Sequence, residues 1–524
     1  MRPPALRRWW LVPLAVCVLR GLPFLVTQTA PPGPGEAWMP IGYIPKDFLQ
    51  YVAMLRQVPD QHRWLFVNPF TTTPQDGRFV LPFFALLGAV SRVTGLDPFW
   101  TLELSRIPLL FVFFRVLAWF VGRVYEDPAR QRWAYVLVGL SGGVEFLAKL
   151  AAPWLPEPTR AVVVQDLWSL QGWSTFAALF NPLWIGGLTL TLLALEPVLD
   201  PAREPNGRRL AGLALTVFVL HWIHPYSELV VLAVAAVRPL AAWALAEPAV
   251  LGRAARTWAA LALPLAVDAA IALWQLRDPV FAASSRHMLG PQHLPVFWYP
   301  LTLAVVGALA LRGFVLLARE RHPWRTPLGA WIAAVALLHT SPLLNGYHFV
   351  FQLHLPVALA AAPAAAALAA TRRRLTVAAL ALGLFVSPLA ITWEALADVR
   401  RESRVPAPWI EAVERLANEP AGNVLAPWQL GNLIPAYGPQ RVFVGHWFLT
   451  PDYAERARRY AAVVGDPAEQ PALRDLVDRE RIRYLVASAD SAPRLAAALG
   501  ERVEGSERAG GIAILVLSAG PPSR

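Results

Sequence analysis

Apolar blocks of membrane-spanning length recur along the first three quarters of the chain. They lie near 9–28, 79–96, 107–125, 133–152, 174–197, 210–224, 228–246, 257–275, 295–317, 328–343, 352–370 and 374–394. A helix needs about 20 apolar residues to cross a hydrocarbon core about 30 Å thick. Lipid offers the backbone no hydrogen-bond partners, so such blocks must satisfy themselves as helices. Of the 524 residues, 56% are hydrophobic and 16% charged, against about 45–50% and about 25% in soluble proteins. The excess sits in the blocks, while the last quarter has ordinary composition. The sequence therefore predicts a polytopic α-helical membrane module over 1–397, with a long first loop at 29–106, and a soluble α/β domain over 398–524.

Charge sets the orientation. The net charge of +11 would suit nucleic acid, but most arginines outside the C-terminal domain fall between apolar blocks, as orientation signals do. No nucleic-acid partner is expected. The groups are Arg123, Arg130 and Arg132; Arg203, Arg208 and Arg209; Arg253 and Arg256; Arg319, Arg321 and Arg325; and Arg372, Arg373 and Arg374. Two blocks separate each group from the next. If Arg7 and Arg8 are cytoplasmic and every block crosses, all five groups fall outside, against the positive-inside rule. If 79–96, short and carrying Arg92, lies in the outer interface, all five fall inside. The expectation is thus about 11 spans, with the N-terminus cytoplasmic and the C-terminal domain periplasmic. The break at 224–227, at Pro225, would face out. Lysine occurs only at Lys46 and Lys149, among abundant Ala and Pro, a GC-rich usage that points to a bacterial cytoplasmic membrane. Cys17 is the one cysteine, which excludes a disulfide framework and thiolate metal sites. Residues 1–28 resemble a signal peptide, and the spans that follow favour an uncleaved first helix.

The first outer loop carries Pro45-Lys46-Asp47-Phe48-Leu49-Gln50-Tyr51-Val52-Ala53-Met54-Leu55-Arg56. Pro45 suits a helix start. Phe48, Leu49, Val52 and Leu55 fall on one apolar face, as on an interfacial helix. Asp47 and Tyr51, four apart, share another. Asp47 is either a helix cap, favoured there by the dipole, or a catalytic carboxylate at the membrane surface. His221, His224 and Glu228 flank the break at Pro225 and are either a metal cluster or a setting in which His224 is a hydrogen-bonded polar anchor. Glu145, Lys149 and Asp268 lie inside predicted spans, where ionisable groups are costly. Glu145 and Lys149 can pair on one helix; Asp268 either faces a cavity or pairs with another helix.

In the C-terminal domain, strands are expected at 423–427, 441–445, 483–488 and 511–518, with helices near 408–418, 452–464, 470–481 and 491–500 and a mainly parallel sheet. No phosphate-binding glycine loop is present. Thr450 reads as a helix cap with Pro451 at the first helical position. His446-Trp447 is either a packed surface loop or part of an acceptor site.

This layout resembles the GT-C superfamily of membrane glycosyltransferases. The resemblance rests on the Asp47 to Tyr51 spacing in a long first loop, the non-crossing block 79–96, and the stretch Gly95-Leu-Asp-Pro-Phe-Trp-Thr-Leu-Glu-Leu-Ser-Arg106-Ile. Ser-Gly-Gly at 141–143 and Asp166 in the next outer loop also match. Several relatives carry an arginine before a Leu-Pro-rich span late in the module. Here that stretch reads Gly346-Tyr347-His348-Phe-Val-Phe-Gln352-Leu-His354-Leu-Pro356, with His348 as the substitute.

The resemblance implies an inverting glycosyltransferase on the periplasmic face. Its donor would be a polyprenyl-phosphate-linked sugar held in the membrane lipid, and its acceptor a glycan, lipid or protein. Such chemistry needs a base for the acceptor hydroxyl and cationic groups for the leaving phosphate. The resemblance implies Asp47 as the base. It implies Lys46, Tyr51, Arg106, Asp166, His224, Arg286, His287 and His348 as substrate-binding residues. Lys46 serves equally as a snorkelling anchor, and Arg286-His287 as ordinary loop solvation. Some members need a divalent cation, Mg or Mn; no Asp-x-Asp-type pair is present and no metal ligand is assigned. A transporter or flippase of a lipid-linked glycan, or a non-catalytic scaffold, is the alternative; a transporter should show internal repeats, and none is clear.

Overall fold

The computed structural model describes residues 10–39, 45–142, 150–157, 181–244, 249–288, 299–371, 403–466 and 469–518, with scattered positions between 378 and 397. Asp166, Glu145, Lys149 and most of the block 374–394 lie outside the described residues.

Five described helices are long and apolar enough to cross a membrane: Pro98–Val124, Pro182–Leu199, Pro225–Ala244, Leu251–Gln275 and Gln352–Ala370. Prolines open many of the helices, at Pro45, Pro82, Pro98, Pro128, Pro182, Pro225 and Pro279. At the first helical position the missing N–H costs nothing and the ring fixes φ. Side chains cap several starts: Asp127 accepts from the Ala129 and Arg130 amides, Asn181 from Leu183, and Asn206 from Arg209. The block 79–96 forms the helix Pro82–Thr94, closed by Gly95 at φ 70°. At 1.5 Å per residue its 13 residues reach about 20 Å, well short of a membrane core of about 30 Å. The paired blocks 210–224 and 228–246 form two helices, Gly207–Ile223 and Pro225–Ala244.

The chain divides into two compact units. The first comprises 1–22, 105–270 and 289–396; the second comprises 23–104, 271–288 and 397–524. The first long loop thus shares a unit with the C-terminal segment.

In the first unit, Tyr299–Arg319 and Tyr347–Ala370 pack against each other at backbone contact. A Cβ on Gly313 would sit 1.8 Å from the Ala360 carbonyl oxygen, so only glycine permits the approach. The Tyr125 hydroxyl donates to the Leu359 carbonyl at 2.7 Å. Arg130 grips Glu320 through two hydrogen bonds of 2.6 Å, which holds the Glu320 carboxyl below its usual pKa.

The second unit is built on a five-stranded sheet. Its strands are β3 (Asn423–Leu425), β4 (Arg441–Val442), β5 (Ile482–Ser488), β6 (Val503–Ala509) and β7 (Ile512–Leu517), in the order β4-β3-β5-β7-β6. β4, β3 and β5 are parallel, as expected, while β7 and β6 run antiparallel. The sheet is therefore mixed. The reason is a tight hairpin at Gly510-Gly511, with Gly510 at φ 55°, which folds the polar segment 503–509 onto the edge. Leu425, Phe443, Leu473, Leu476, Leu485, Leu495 and Leu515 form the core between sheet and helices. A small ribbon pairs β1 (Glu36–Trp38) with β2 (Arg404–Pro406) antiparallel, joining the first loop to the start of the C-terminal segment.

The helix Pro45–Gln61 is part of this unit. Phe48, Leu49, Val52, Leu55 and Val58 are each at most 3% exposed. The face read as membrane-interfacial is therefore buried in protein. The helices Pro82–Thr94 and Trp428–Tyr437 cover it, and Val58 lies against Gly88, whose missing Cβ admits it.

Candidate active site

Asp47 stands in the first turn of Pro45–Gln61, where the helix dipole favours a carboxylate. Its side chain is 34% exposed, and its Oδ1 lies 3.5 Å from Nε2 of His446, whose side chain is 1% exposed. The Phe448 amide donates to Nδ1 of His446 at 3.3 Å. A neutral ring that accepts at Nδ1 carries its hydrogen on Nε2, the nitrogen facing Asp47. The separation is slightly longer than a good hydrogen bond, and a small closure would make one. The carboxylate thus has one side toward a buried imidazole and the other accessible.

The loop bearing His446 is held from three directions. Gly445 runs against Gly431, where an added Cβ would meet the Gly431 carbonyl oxygen at 2.5 Å. Thr450 is not the helix cap the sequence suggests. Its hydroxyl donates to the Phe70 carbonyl at 2.9 Å and accepts from the Gly445 amide at 3.1 Å, and the helix starts later, at Tyr453. Asn68 donates to the Leu449 carbonyl at 2.6 Å, while Val442 of β4 bonds the Pro69 carbonyl. Arg441 donates to the Thr71 and Thr73 carbonyls, and Arg456 donates to Thr73 and lies over the Phe443 ring. Burial pushes both guanidinium pKa values down. Segment 68–73 of the first loop is therefore fastened to the sheet edge that carries His446.

Tyr51, one turn after Asp47, stacks on Phe84 with ring centroids 5.5 Å apart. Arg286 and His287 lie on the helix Pro279–Met288, and Lys46 on the same helix as Asp47; their side chains are outside the description. Asp278 caps Pro279–Met288 by accepting from the Val280 amide, and its other oxygen accepts from the Asp76 amide at 2.9 Å. The first loop and this helix are thereby tied together. Lys46, Asp47, Tyr51, Arg286 and His287 all belong to the second unit.

The first unit holds Arg106, His224 and His348. Arg106 is fully enclosed. The Tyr226 ring stacks on His348 at 4.0 Å and tilts toward His224 at 5.8 Å, which brings those two histidines to one place. His224 accepts at Nδ1 from the Ser227 hydroxyl at 2.9 Å, and that hydroxyl accepts from Gln352 at 2.6 Å. His224 is thus a hydrogen-bonded anchor. Asp268, expected either to face a cavity or to pair with another helix, has a carboxylate oxygen within 4.8 Å of His221 and Glu228 on two other helices.

No protein-family model matches the chain, and no curated protein matches it. Solved structures do. ArnT from Cupriavidus metallidurans, determined bound to undecaprenyl phosphate, superposes with a TM-score of 0.55 at 14% identity, over 99% of this chain and 100% of that one. The oligosaccharyltransferase of Archaeoglobus fulgidus, in its apo form, gives 0.51 at 13% identity, over 97% of this chain and 73% of that one. Nearly the whole length of this chain superposes on each of them, so the chain shares their fold.

Proposed function

We propose that the protein is a membrane glycosyltransferase that moves a sugar from a polyprenyl-phosphate donor to an acceptor on the periplasmic face of a bacterial cytoplasmic membrane. The observation that carries this reading is the Asp47–His446 pair: a partly exposed carboxylate, beside a buried ring, in the first turn of a helix within the long first loop. In the reaction, Asp47 takes the proton of the acceptor hydroxyl as its oxygen attacks the anomeric carbon. The bond from that carbon to the phosphate oxygen breaks, and polyprenyl phosphate leaves with the electron pair. Attack opposite the leaving group inverts the anomeric centre. His446, with Nε2–H toward Oδ1, positions the carboxylate. Lys46, Arg286 and His287 are the cations proposed for the leaving phosphate, with Tyr51, Arg106, Asp166, His224 and His348 as further substrate-binding residues. The ArnT structure bound to undecaprenyl phosphate supports the donor class.

The test is transfer by purified protein in nanodiscs, with a panel of radiolabelled polyprenyl-phosphate sugars and a host lipid extract. Wild type should release polyprenyl phosphate and label an acceptor. Asp47→Asn should be slower by about 100-fold or more, as loss of a positioned base requires. Undiminished transfer in Asp47→Asn would remove its role. Movement of intact donor between leaflets, without cleavage, would instead establish a transporter.

A further inference from the structure

A second polar cluster lies in the first unit, at the meeting of three helices. His221 ends Gly207–Ile223, Glu228 stands in the first turn of Pro225–Ala244, and Asp268 comes from Ala249–Gln275. Nδ1 of His221 lies 2.7 Å from Oε2 of Glu228. One donor atom from each residue falls within 4.8 Å of the others. Asp268 is 2% and Glu228 5% exposed. Glu228 Oε1 and both Asp268 oxygens have no hydrogen-bond partner among the described residues. The Trp222 indole lies beside Asp268, outside good hydrogen-bond geometry.

Two buried carboxylates facing one imidazole leave at least one negative charge uncompensated, even with the ring protonated. Burying such a charge is costly unless a cation meets it. We infer that His221, Glu228 and Asp268 form a binding site for one divalent transition-metal ion. One imidazole nitrogen and two carboxylate oxygens are a donor set that suits zinc or its congeners and leaves a coordination position open. Tetrahedral bonds of about 2.0–2.2 Å place ligand atoms about 3.3–3.6 Å apart, so the cluster closes on an ion by side-chain shifts of about 1 Å or less. The ion takes the place of the proton between His221 and Glu228, and binding therefore releases a proton. His224, engaged with Ser227, is not a ligand. This inference does not depend on the transferase reading.

The test uses the full chain, purified with a tag free of histidine, stripped by chelator and titrated with Co²⁺ and then Zn²⁺. Wild type should take up one equivalent, with a Co²⁺ absorption band that Zn²⁺ abolishes, and its unfolding temperature should rise with Zn²⁺. Asp268→Asn and Glu228→Gln should each weaken binding at least tenfold and lose that rise. Metal-free Asp268→Asn should be no less heat-stable than metal-free wild type, since it removes an uncompensated buried charge; its loss of binding then cannot be misfolding. No stoichiometric uptake by wild type, or undiminished binding in Asp268→Asn, overturns the site.

Discussion

At the scale of single residues, the site depends on a loop whose shape is set by small and polar groups. Thr450 bridges the Gly445 amide and the Phe70 carbonyl, and Gly445 has no room for a Cβ. Thr450→Val keeps the volume but strands both partners. Each lost bond costs about 1 kcal/mol, and His446 loses its fixed approach to Asp47. We expect transfer to fall roughly tenfold, with Tm lowered and the spectral signature of the fold unchanged; transfer at the wild-type rate would show that the loop does not position His446. Asp47 stood out in the sequence through a local pattern of proline, acid and tyrosine, which leaves helix cap and catalytic carboxylate both open. Its neighbour His446 was not legible as a partner. His446-Trp447 stood out as unusual, but a contact between opposite ends of a chain leaves no local mark. Thr450 was misread for the related reason that Thr-Pro is a common helix start whether or not the threonine is engaged elsewhere.

Among the elements, the helix start at Pro45 was readable from its proline, whereas the Thr450-Pro451 signal was followed by a helix that begins only at Tyr453. The break at His224-Pro225 and the short helix Pro82–Thr94 both stand where local signals place them. The three-residue strands β1 and β2 did not show, because they are too brief for any alternation; β3 and β4 stand inside the segments expected for them, though shorter. β6 was missed because its burial pattern is that of a mostly exposed edge. The face of Pro45–Gln61 shows the limit of periodicity: the apolar stripe was real, but a stripe does not say whether lipid or protein covers it. Between helices, the Arg130–Glu320 pair offers a test by pH. The Glu320 carboxyl pKa is lowered by its bonds to Arg130, so the pair stabilises above the unfolded carboxyl pKa of about 4.3 and fades as pH falls through the lower folded value. Both side chains reach solvent, which limits the contribution to about 1 kcal/mol or less. Glu320→Gln should therefore melt slightly below wild type at pH 7, with the gap closing toward pH 3; a gap that does not depend on pH would refute the ion-pair account.

For the whole molecule, composition and block length were enough to find a membrane protein, and the block 79–96 that positive-inside counting set apart forms a helix of only 13 residues. The partition into compact units was less legible. Residues 23–104 and 271–288 join 397–524 through pairings such as Glu36 with Pro406, Asn68 with Leu449 and Arg56 with Ala436. Each pairs residues hundreds of positions apart, and nothing in either segment alone specifies the other. The account's central claim is that this union creates a catalytic carboxylate at Asp47, oriented by His446. A double-mutant cycle in the transfer assay tests it directly, with Asp47→Asn, His446→Gln and the pair measured side by side. Residues that act as one unit are strongly non-additive. The account predicts a fall of about 10–100-fold for His446→Gln, the range for loss of an orienting partner, and a double mutant no slower than Asp47→Asn alone. Losses that simply multiply, or full activity in Asp47→Asn, would contradict it.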